Sequence, residues 1–444
     1  MTQPHPSAPC AAIHSVGCKL NQYEAQLLRQ QLEARGYRVV DFSDLADVYV
    51  VVSCTVTHRS DRECRRLARG ARRRNPAALI VITGCYAEVA AEDLAARELA
   101  DLIVSNRDKA QIPDLIDAAR GREAIPPSTF PEAPLLSEFQ GHTRAFVKIQ
   151  EGCSGGCTYC LISRARGPEQ SVPPAQVQAQ VSLLAQRHRE IVLIGTHLGR
   201  YGRDLPEPVG LATLVENLCA LPELVRLRLS SLEPLELSPG LRDLVAAGGF
   251  CLSPDPARLG GGKVCRHLHL PLQSGADTVL ERMGRPYGAA EYAEIIEEMH
   301  RRAPGCALGA DVIVGFPGET EAEFAATRDL LESLPLSYLH VFTFSARSGT
   351  PASDMPQQVP EALRQARNRV LRELSERKRE AFAASQVGER LEVVIEHTEP
   401  TGELRGLADN YLQVRLPAAE ASPGDLKAVQ ATGACHETLV AELT

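Results

Sequence analysis

The chain has 444 residues with a net charge of −8, and 44% of its residues are hydrophobic. This composition is ordinary for a globular protein, and the length is enough for about two to four domains. The acidic balance argues against a general affinity for nucleic acid but leaves room for local basic patches. The apolar runs are too short to cross a bilayer, and the N-terminal residues lack the features of a secretion signal. We therefore expect a cytoplasmic protein that does not contact a membrane.

The first part of the chain alternates between strand and helix patterns. This alternation predicts a small α/β domain with a parallel sheet at 9–124. The predicted strands are 11–16, 47–53 and 79–83, and the predicted helices are 21–35 and 61–74. A proline-rich stretch at 125–135 then predicts a linker to the next domain.

Three cysteines of this domain, Cys18, Cys54 and Cys85, each lie just past a predicted strand. The chain has 13 cysteines, and in a reducing compartment such residues indicate metal ligands or reactive thiols rather than disulfides. Because the ends of parallel strands meet at one edge of a sheet, the three thiols would lie together and hold a metal cluster. The alternative is three separate core residues, since free cysteine is commonly buried. The residues alone leave both interpretations open.

The predicted helix after Cys54 is rich in arginine. Residues 59–74 contain eight arginines and only Asp61 and Glu63 as acidic partners. An arginine-rich helix is most often a solvated face, but the shortage of acidic partners makes phosphate binding a second interpretation. Residues 364–379 contain seven lysines and arginines, and flanking glutamates balance them better.

A second group of cysteines is close in sequence, with the spacing Cys153-x3-Cys157-x2-Cys160. Three thiolates hold three irons of a [4Fe–4S] cluster and leave the fourth iron open to a ligand. A zinc site is the alternative, but zinc commonly takes a fourth ligand from a further cysteine pair or a histidine. The spacing therefore predicts radical chemistry driven by S-adenosylmethionine (SAM), with these three cysteines as the catalytic cluster ligands.

From residue 144 the strand–helix pattern restarts with longer units. Six such units predict a partial (βα)6 barrel at 139–383. The predicted strands are 144–150, 191–195, 226–230, 267–271, 308–315 and 338–344. In parallel barrels the carboxyl ends of the strands carry ligands and catalysis.

Polar or glycine residues at these strand ends are the predicted contacts of SAM. Gly315 and Phe316 would let the backbone approach an adenine ring, whereas Glu233 and Gln273 would bind ribose hydroxyls or the methionyl amine. The alternative for each is an exposed loop residue. The full predicted set is Tyr159, Gly195, Thr196, Ser231, Glu233, Gln273, Gly315 and Phe316.

The end of the chain contains a predicted long helix at 361–384 and then short alternating strands. These strands predict a small β-barrel at 385–444. They are 391–396, 411–416, 427–432 and 437–443. The glycine- and proline-rich stretch 248–264 predicts a surface loop whose role the sequence does not indicate.

Together, these motifs resemble the radical-SAM methylthiotransferases from about residue 11 to the end of the chain. The resemblance is carried by KIQEGC at 148–153, CLISRARG at 160–167, HLHLPLQSG at 267–275 and DVIVGFPGE at 311–319. It implies an auxiliary [4Fe–4S] cluster on Cys18, Cys54 and Cys85, and so two clusters in all. It also implies that the small C-terminal β-barrel is a TRAM domain.

Within that family, GCKLNQYE at 17–24 and CTVT at 54–57 are similar to the branch that acts on N6-threonylcarbamoyladenosine in tRNA. The resemblance implies conversion of this nucleoside, next to the anticodon, to its 2-methylthio derivative, with two SAM molecules per turnover. The implied partners are the tRNA anticodon stem-loop, an electron donor such as flavodoxin or ferredoxin, and a sulfur donor. The alternatives are the isopentenyladenosine tRNA branch, the ribosomal-protein aspartate branch and, more distantly, an iron–sulfur RNA-binding protein without turnover.

Two features depart from the family pattern. The stretch 248–264 is longer than usual. Residues 385–444 carry four lysines and arginines against ten aspartates and glutamates, which weakens the expected RNA contact of a TRAM domain because phosphate contacts are basic. We therefore expect the arginine-rich helix at 59–74 to carry more of the tRNA binding.

Overall fold

The structure is a computed structural model that describes residues 8–122, 134–248, 262–418 and 421–444. Most of the predicted linker and most of the predicted loop at 248–264 lie outside the described residues. Among the described residues, no helix combines the length and the apolar character needed to span a membrane.

The chain forms two compact units. The first runs to Gln140 and includes two short later segments, Gly152–Ser154 and Cys160–Pro168. The second consists of Gly141–Glu151, Gly155–Tyr159 and the chain from Glu169 onward. The predicted division into 9–124, 139–383 and 385–444 stays a prediction.

The first unit is built on a five-stranded sheet in the order β2-β1-β3-β4-β5, and all four strand pairs are parallel. Its strands are β1 (Cys10–Ser15), β2 (Arg38–Val40), β3 (Val48–Ser53), β4 (Leu79–Gly84) and β5 (Leu102–Val104). Its helices are α1 (Lys19–Ala34), α2 (His58–Arg74), α3 (Cys85–Val89), α4 (Ala91–Ala96) and α5 (Ile112–Ala119), and α6 (Ile162–Arg166) comes from the later segment. The predicted parallel α/β fold is confirmed, although the two short edge strands β2 and β5 were not predicted.

The central strand β3 is buried on both faces, as expected of a parallel sheet covered by helices. Val48 and Val50 pack in one core cluster, whereas Tyr49 and Val51 pack in another. Because successive side chains of a strand point to opposite faces, this alternation places one cluster on each side of the sheet. The amphipathic helices α1 and α2 cover the two clusters, since Leu28 belongs to the first and the α2 residues to the second.

The second unit begins with six parallel strands arranged as two sheets, β10-β9-β6 and β11-β12-β13. A bridge between Leu227 on β10 and Val264, just before β11, links the two sheets. The strands are β6 (Arg144–Lys148), β9 (Glu190–Ile194), β10 (Arg226–Leu229), β11 (His267–His269), β12 (Ala307–Val314) and β13 (Tyr338–Thr343), and the pair β7 (Gln150–Glu151) and β8 (Gln170–Ser171) lies beside them. The predicted partial (βα)6 barrel is confirmed, and only the small β7–β8 pair was not predicted.

Helices connect the barrel strands, and a long helix follows the last of them. They are α7 (Pro174–Ala185), α8 (Leu211–Cys219), α9 (Pro239–Ala246), α10 (Asp277–Met283), α11 (Ala289–Arg302), α12 (Glu321–Ser333), α13 (Pro351–Asp354) and α14 (Glu361–Ser385). The helix α12 begins with a capping box of Thr320 and Glu323, in which two otherwise unpaired amide groups are satisfied reciprocally.

The second unit ends in a closed five-stranded barrel with the order β14-β15-β16-β18-β17. Its strands are β14 (Arg390–Thr398), β15 (Leu404–Ala408), β16 (Gln413–Leu416), β17 (Leu426–Cys435) and β18 (Thr438–Leu443). The predicted small β-barrel is confirmed. Four of its strands were predicted, and β15 was missed because Gly406 interrupts its short apolar pattern.

A buried ion-pair network joins the two barrels of the second unit. Arg226 and Arg228 donate to the Glu190 carboxylate at 2.6 and 2.7 Å, and all three residues are at most 2% exposed. The remaining guanidinium nitrogens donate to backbone carbonyls of the C-terminal barrel, those of Glu392, Leu407, Ala408 and Asp409. Burial opposes ionisation of Glu190, but the two arginines outweigh it and lower the pKa of the carboxyl. The C-terminal barrel is thus bonded directly to β10 and, through Glu190, to β9.

Candidate functional site

The predicted ligands Cys18, Cys54 and Cys85 lie at one edge of the first unit's sheet. They follow β1, β3 and β4, which are neighbours in the sheet, and Ser53 at the end of β3 is opposite Gly84 at the end of β4. Cys54 and Cys85 are buried, whereas Cys18 is exposed. The parallel order of the strands therefore brings the three loops to the same edge of the sheet.

The backbone at Gly17 shows how closely two of these thiols approach. Gly17 has a φ of 89°, and a Cβ added to it would lie 2.6 Å from the Cys54 sulfur. Any larger residue would collide with this thiol, and it would also adopt the left-handed conformation at a cost. Glycine is therefore required before Cys18 so that its loop can approach Cys54.

The three thiols act on one another electrostatically. Burial raises the pKa of the Cys54 thiol, and Cys85 raises it further. Burial likewise raises the pKa of Cys85, and Cys18 adds to this effect. A group of three mutually close thiols is the donor set that thiophilic metals and iron–sulfur clusters take, so the residues present fit a cluster. Metal binding there would release protons, because the thiolate is the ligand.

Arg166 is the cation beside this group. Its side chain is 1% exposed and donates to Glu24 Oε1 at 2.9 Å and to Asn21 Oδ1 at 2.8 Å. It also hydrogen-bonds with Cys85, and its charge lowers the pKa of the thiol against the larger effect of burial. Local sequence patterns cannot indicate this contact, because more than 80 residues separate Arg166 from Cys85 along the chain.

Two asparagines hold the loops around Arg166 in place. Asn21 Nδ2 donates to the carbonyls of Val16 at 2.7 Å and Ser53 at 3.0 Å, so it ties together the ends of β1 and β3. Asn106 Nδ2 donates to the Ala165 carbonyl at 2.5 Å and lies 4.0 Å from the Cys85 sulfur. Both amides are buried, and they fix the positions from which Arg166 reaches the thiols.

The triplet Cys153, Cys157 and Cys160 lies in the loop between β7 and α6. In the first unit, the Cys153 amide donates to the Gly167 carbonyl at 3.0 Å, and the Ile162 amide donates to the Cys160 sulfur at 3.4 Å. Hydrogen bonds of this kind to sulfur stabilise thiolate and tune cluster potentials.

Cys157 belongs to the second unit and has an arginine beside it. Arg285 Nη1 donates to the Cys157 sulfur at 3.4 Å, and Arg285 also forms an ion pair with Glu233. Burial opposes the charge of Arg285, but Tyr159, Tyr287, Glu233 and Cys157 outweigh it and raise the pKa of the guanidinium. The sequence did not single out Arg285, whereas Glu233 was predicted from its place after β10.

Several other predicted SAM contacts lie at the carboxyl ends of the barrel strands. Gly195 follows β9, and a Cβ there would lie 3.1 Å from the Gln150 side chain. Thr196 Oγ1 is buried and forms no hydrogen bond with a described residue. Ser231 is exposed and Tyr159 is half-buried. No described contact brings Ser231 to the other predicted residues.

Gln273 and Gly315 occupy backbone positions that few residues tolerate. Gln273 has a φ of 70°, and its buried Oε1 has no hydrogen-bond partner among the described residues. Gly315 has a φ of 73°, and a Cβ there would collide with the Arg364 side chain. Phe316 is 0% exposed and packs against Phe344 at 5.3 Å. Its ring is therefore part of the core.

A third polar group lies on three adjacent strands and was not predicted. Asp311 Oδ1 is 2.9 Å from His269 Nε2 and 3.3 Å from His340 Nδ1. Burial opposes ionisation of Asp311, but these two hydrogen bonds lower the pKa of its carboxyl. The other nitrogen of His269 lies 3.0 Å from the Tyr338 hydroxyl. The shared carboxylate therefore orients both imidazoles.

The partial barrel and the cysteine triplet together define a radical-SAM protein. Residues 147–331 match the family described as the Radical SAM superfamily, and residues 11–105 match Uncharacterized protein family UPF0004. Among solved structures, the radical S-adenosylmethionine methyltransferase TsrM from Kitasatospora setae is similar, with a TM-score of 0.54 and 15% identity. The match covers 78% of this chain and 77% of that chain, and it shows a shared fold.

Curated relatives identify the family to which this chain belongs. The threonylcarbamoyladenosine tRNA methylthiotransferase of Aquifex aeolicus is 36% identical over 413 residues, 91% of this chain and 96% of that protein. The enzyme of the same name from Bacillus subtilis is 36% identical over 94% of this chain and 93% of its own length. The tRNA-2-methylthio-N(6)-dimethylallyladenosine synthase of Methylobacillus flagellatus is 32% identical over 97% of this chain and 98% of its length. The chain therefore belongs to the family of radical-SAM tRNA methylthiotransferases.

Proposed function

We propose that this protein converts N6-threonylcarbamoyladenosine next to the tRNA anticodon to its 2-methylthio derivative. The observation that carries this proposal is the pair of three-cysteine groups in a chain that is 36% identical to a threonylcarbamoyladenosine tRNA methylthiotransferase over 91% of its length. Insertion of sulfur at an unreactive C–H bond needs both a radical source and a sulfur source, and two cysteine triplets supply ligands for both.

The proposed cluster ligands are Cys153, Cys157 and Cys160 for the cluster that binds SAM, and Cys18, Cys54 and Cys85 for the auxiliary cluster. When bound, the two [4Fe–4S] clusters and two SAM molecules per turnover supply an electron, a radical that removes the adenine C2 hydrogen, a sulfur atom and a methyl group. The protein holds these groups, orients the substrate and excludes water.

The chain's own side chains prepare the SAM site. The guanidinium of Arg285 places a positive charge beside the Cys157 sulfur. Its ion pair with Glu233 fixes that carboxylate after the end of β10. We propose that Glu233 and the unpartnered amide oxygen of Gln273 accept hydrogen bonds from the SAM amine or ribose. Gly195, Thr196, Gly315, and the backbone of Phe316 would line the adenine, with Tyr159 and Ser231 at the edge of the site.

The substrate branch is supported by the relatives. Threonylcarbamoyladenosine enzymes from several bacteria are 33–36% identical to this chain, whereas the dimethylallyladenosine synthases are 31–32% identical. The difference is small, so the dimethylallyladenosine substrate is the alternative that the experiment below must separate. The third alternative, a ribosomal-protein aspartate, would make a protein side chain and not a tRNA base the acceptor of the methylthio group.

The remaining parts of the proposal concern partners and location. The base must leave its stack to reach the carboxyl end of a barrel. Unstacking costs the least free energy in the single-stranded loop of the anticodon arm. We therefore propose the anticodon stem-loop as the RNA partner. A flavodoxin or ferredoxin would supply electrons, a sulfur donor would restore the auxiliary cluster, and the cytoplasm, without membrane contact, would be the location.

Anaerobic reconstitution tests the cofactor part of the proposal. We expect about eight irons per chain and cleavage of SAM on reduction. A chain that holds about four irons and does not cleave SAM would instead be an iron–sulfur RNA-binding protein.

Nucleoside analysis tests the substrate. In tRNA from a strain that lacks this protein, the 2-methylthio derivative of threonylcarbamoyladenosine should disappear, and the purified enzyme should restore it. If the derivative persists while a 2-methylthio isopentenyladenosine is lost, the substrate assignment is wrong and the family assignment stands.

A further inference from the structure

One face of α2 carries a stripe of arginines, which we call the arginine stripe: Arg59, Arg62, Arg66, Arg69 and Arg73. With 3.6 residues per turn, these positions fall within an arc of about 80° and extend for about 21 Å along the helix. The buried residues of the same helix, which include Cys64 and Leu67, lie on the opposite side. The five arginines are exposed to solvent. The helix thus packs one face into the core and presents the other as a row of cations.

The other arginines of α2 have partners within the first unit. Arg65 donates to the Tyr86 hydroxyl at 2.6 Å, Arg72 pairs with Asp101 at 2.7 Å, and Arg74 donates to the Phe42 carbonyl at 3.0 Å. These three side chains therefore have structural roles. All three lie outside the arc of the stripe, on its two flanks.

Within the stripe, only Arg66 forms an ion pair with a described residue, and that partner is Glu63 on the same helix. Arg59, Arg62, Arg69 and Arg73 form none with the residues that the structure describes. Four like charges in a row on one helix face repel one another by a few tenths of a kcal/mol per neighbouring pair. A polyanion that follows the stripe would relieve this repulsion.

Basic side chains elsewhere are more often paired. On α14, Arg367 pairs with Glu319 at 2.6 Å, and Arg377 and Arg379 pair with carboxylates at 3.1 and 2.9 Å. The C-terminal barrel region, 385–444, has ten acidic residues against four basic ones. In a chain of net charge −8, the arginine stripe is therefore a local concentration of positive charge that attracts phosphate.

The position of α2 relates the stripe to the cysteine group. The helix begins at His58, capped by Thr57, only four residues after Cys54. Arg59 therefore lies in the first turn after the loop of a proposed cluster ligand, and the stripe leads away from it. Phosphates spaced along an RNA backbone meet a row of guanidinium groups with bidentate geometry.

We propose that the arginine stripe binds the phosphate backbone of the substrate tRNA and leads the anticodon arm to the loop that carries Cys54. This inference rests on the proposed function, because that function makes tRNA the substrate. The contacts are to phosphate, so they add affinity without sequence preference.

The test is the quadruple variant R59Q/R62Q/R69Q/R73Q, which spares Arg66 and the three structural arginines. We expect its Kd for an unmodified anticodon stem-loop RNA, measured anaerobically near 0.1 M salt, to rise about tenfold or more. The slope of log affinity against log salt concentration should fall by about three, as expected for four lost phosphate contacts. Iron content and SAM cleavage without RNA should equal those of the parent protein.

A matched control variant distinguishes loss of the stripe from a general loss of four positive charges. The variant R97Q/R301Q/R328Q/R377Q also removes four exposed arginines, each of which is ion-paired with a carboxylate. It should keep the parent affinity and salt slope within about twofold. If the two variants weaken RNA binding equally, the effect is one of net charge and the inference is overturned.

Two further outcomes overturn the inference without touching the proposed function. One is a stripe variant that binds and methylthiolates RNA like the parent. The other is a variant whose RNA affinity is unchanged but whose turnover falls with flavodoxin and not with dithionite, which would assign the stripe to an acidic reductant. If the parent protein itself neither binds nor modifies tRNA, the proposed function fails, and the failure is seen before any variant is made.

Discussion

Arg166 donates to Glu24 at 2.9 Å with a side chain that is almost completely buried. Glu24 also accepts from Lys109 at 2.7 Å, so the carboxylate would keep one cation if Arg166 were lost. The arginine has a different importance for the thiols. It is the buried cation that acts on Cys18, Cys54 and Cys85 together, and three thiolates in one place need such a counter-charge.

Arg166→Met should therefore release the auxiliary cluster. Without the guanidinium, three thiolates beside Glu24 repel one another, and we expect iron to fall from about eight toward about four per chain. Arg166→Lys keeps the charge but loses the planar fork, so its iron content should lie between these values. Iron and sulfide assays after anaerobic reconstitution give the readout. Full iron in Arg166→Met would show that the arginine serves only to pack the loop.

The two cysteine groups should be separable by single substitutions. Cys157→Ala should keep about four irons and lose SAM cleavage, whereas Cys54→Ala should also keep about four irons but still cleave SAM. Cys64→Ala is the control, since Cys64 is fully buried in the α2 core and should leave about eight irons in place. Mössbauer spectra and SAM cleavage assays distinguish the three. Loss of all iron from either cysteine variant would contradict two independent sites.

Arg285 should set the reduction potential of the SAM-binding cluster. A positive charge beside a cluster thiolate favours the reduced form, so Arg285→Leu should lower the midpoint potential and slow SAM cleavage while iron is retained. The measurement is an EPR redox titration in a background that lacks Cys18, Cys54 and Cys85. Arg282→Leu serves as the control, because Arg282 pairs with Glu323 at 3.0 Å instead. Equal potentials in the two variants would refute this role.

The Glu190 network should make the second unit sensitive to acid. The folded pKa of Glu190 is lowered by Arg226 and Arg228, so its contribution is present above the unfolded value of about 4.3 and is lost as the pH falls below it. Glu190→Gln leaves two buried cations without a carboxylate and should cost about 3–5 kcal/mol near neutral pH.

Urea denaturation of the parent and Glu190→Gln proteins checks this expectation. The difference in unfolding free energy should stay constant between about pH 7.5 and 5.5 and shrink below about pH 4. A difference that already shrinks near pH 6 would mean that another group, and not Glu190, titrates in this window.

Sequence reasoning succeeded where a signal is local. The six barrel strands have apolar runs, and the spacing of Cys153, Cys157 and Cys160 can be recognised without knowledge of the fold. The meeting of Cys18 and Cys54 followed from one further rule, that parallel strands end at the same edge of a sheet. These features need no knowledge of contacts between distant parts of the chain.

The residues that sequence reasoning missed are those whose role depends on distant contacts. Arg166 lies in a segment that carries the family resemblance and Arg285 in an ordinary polar one, but only the folded chain brings them to Cys85 and Cys157. The three-residue strands β2 and β5 are too short to show a period. Phe316, predicted as a SAM contact from its place after a strand, has its ring buried in the core, and its contact with SAM stays a prediction.

The short helix α6 has a mechanical consequence. Cys160 lies two residues before it and Arg166 is its last residue, and the five residues of the helix span only about 7.5 Å. One thiol of the triplet Cys153, Cys157 and Cys160 is thus joined by a single short helix to the cation beside Cys18, Cys54 and Cys85. We expect a displacement of Cys160 to be carried along α6 to Arg166, because both residues lie in the same segment of the first unit.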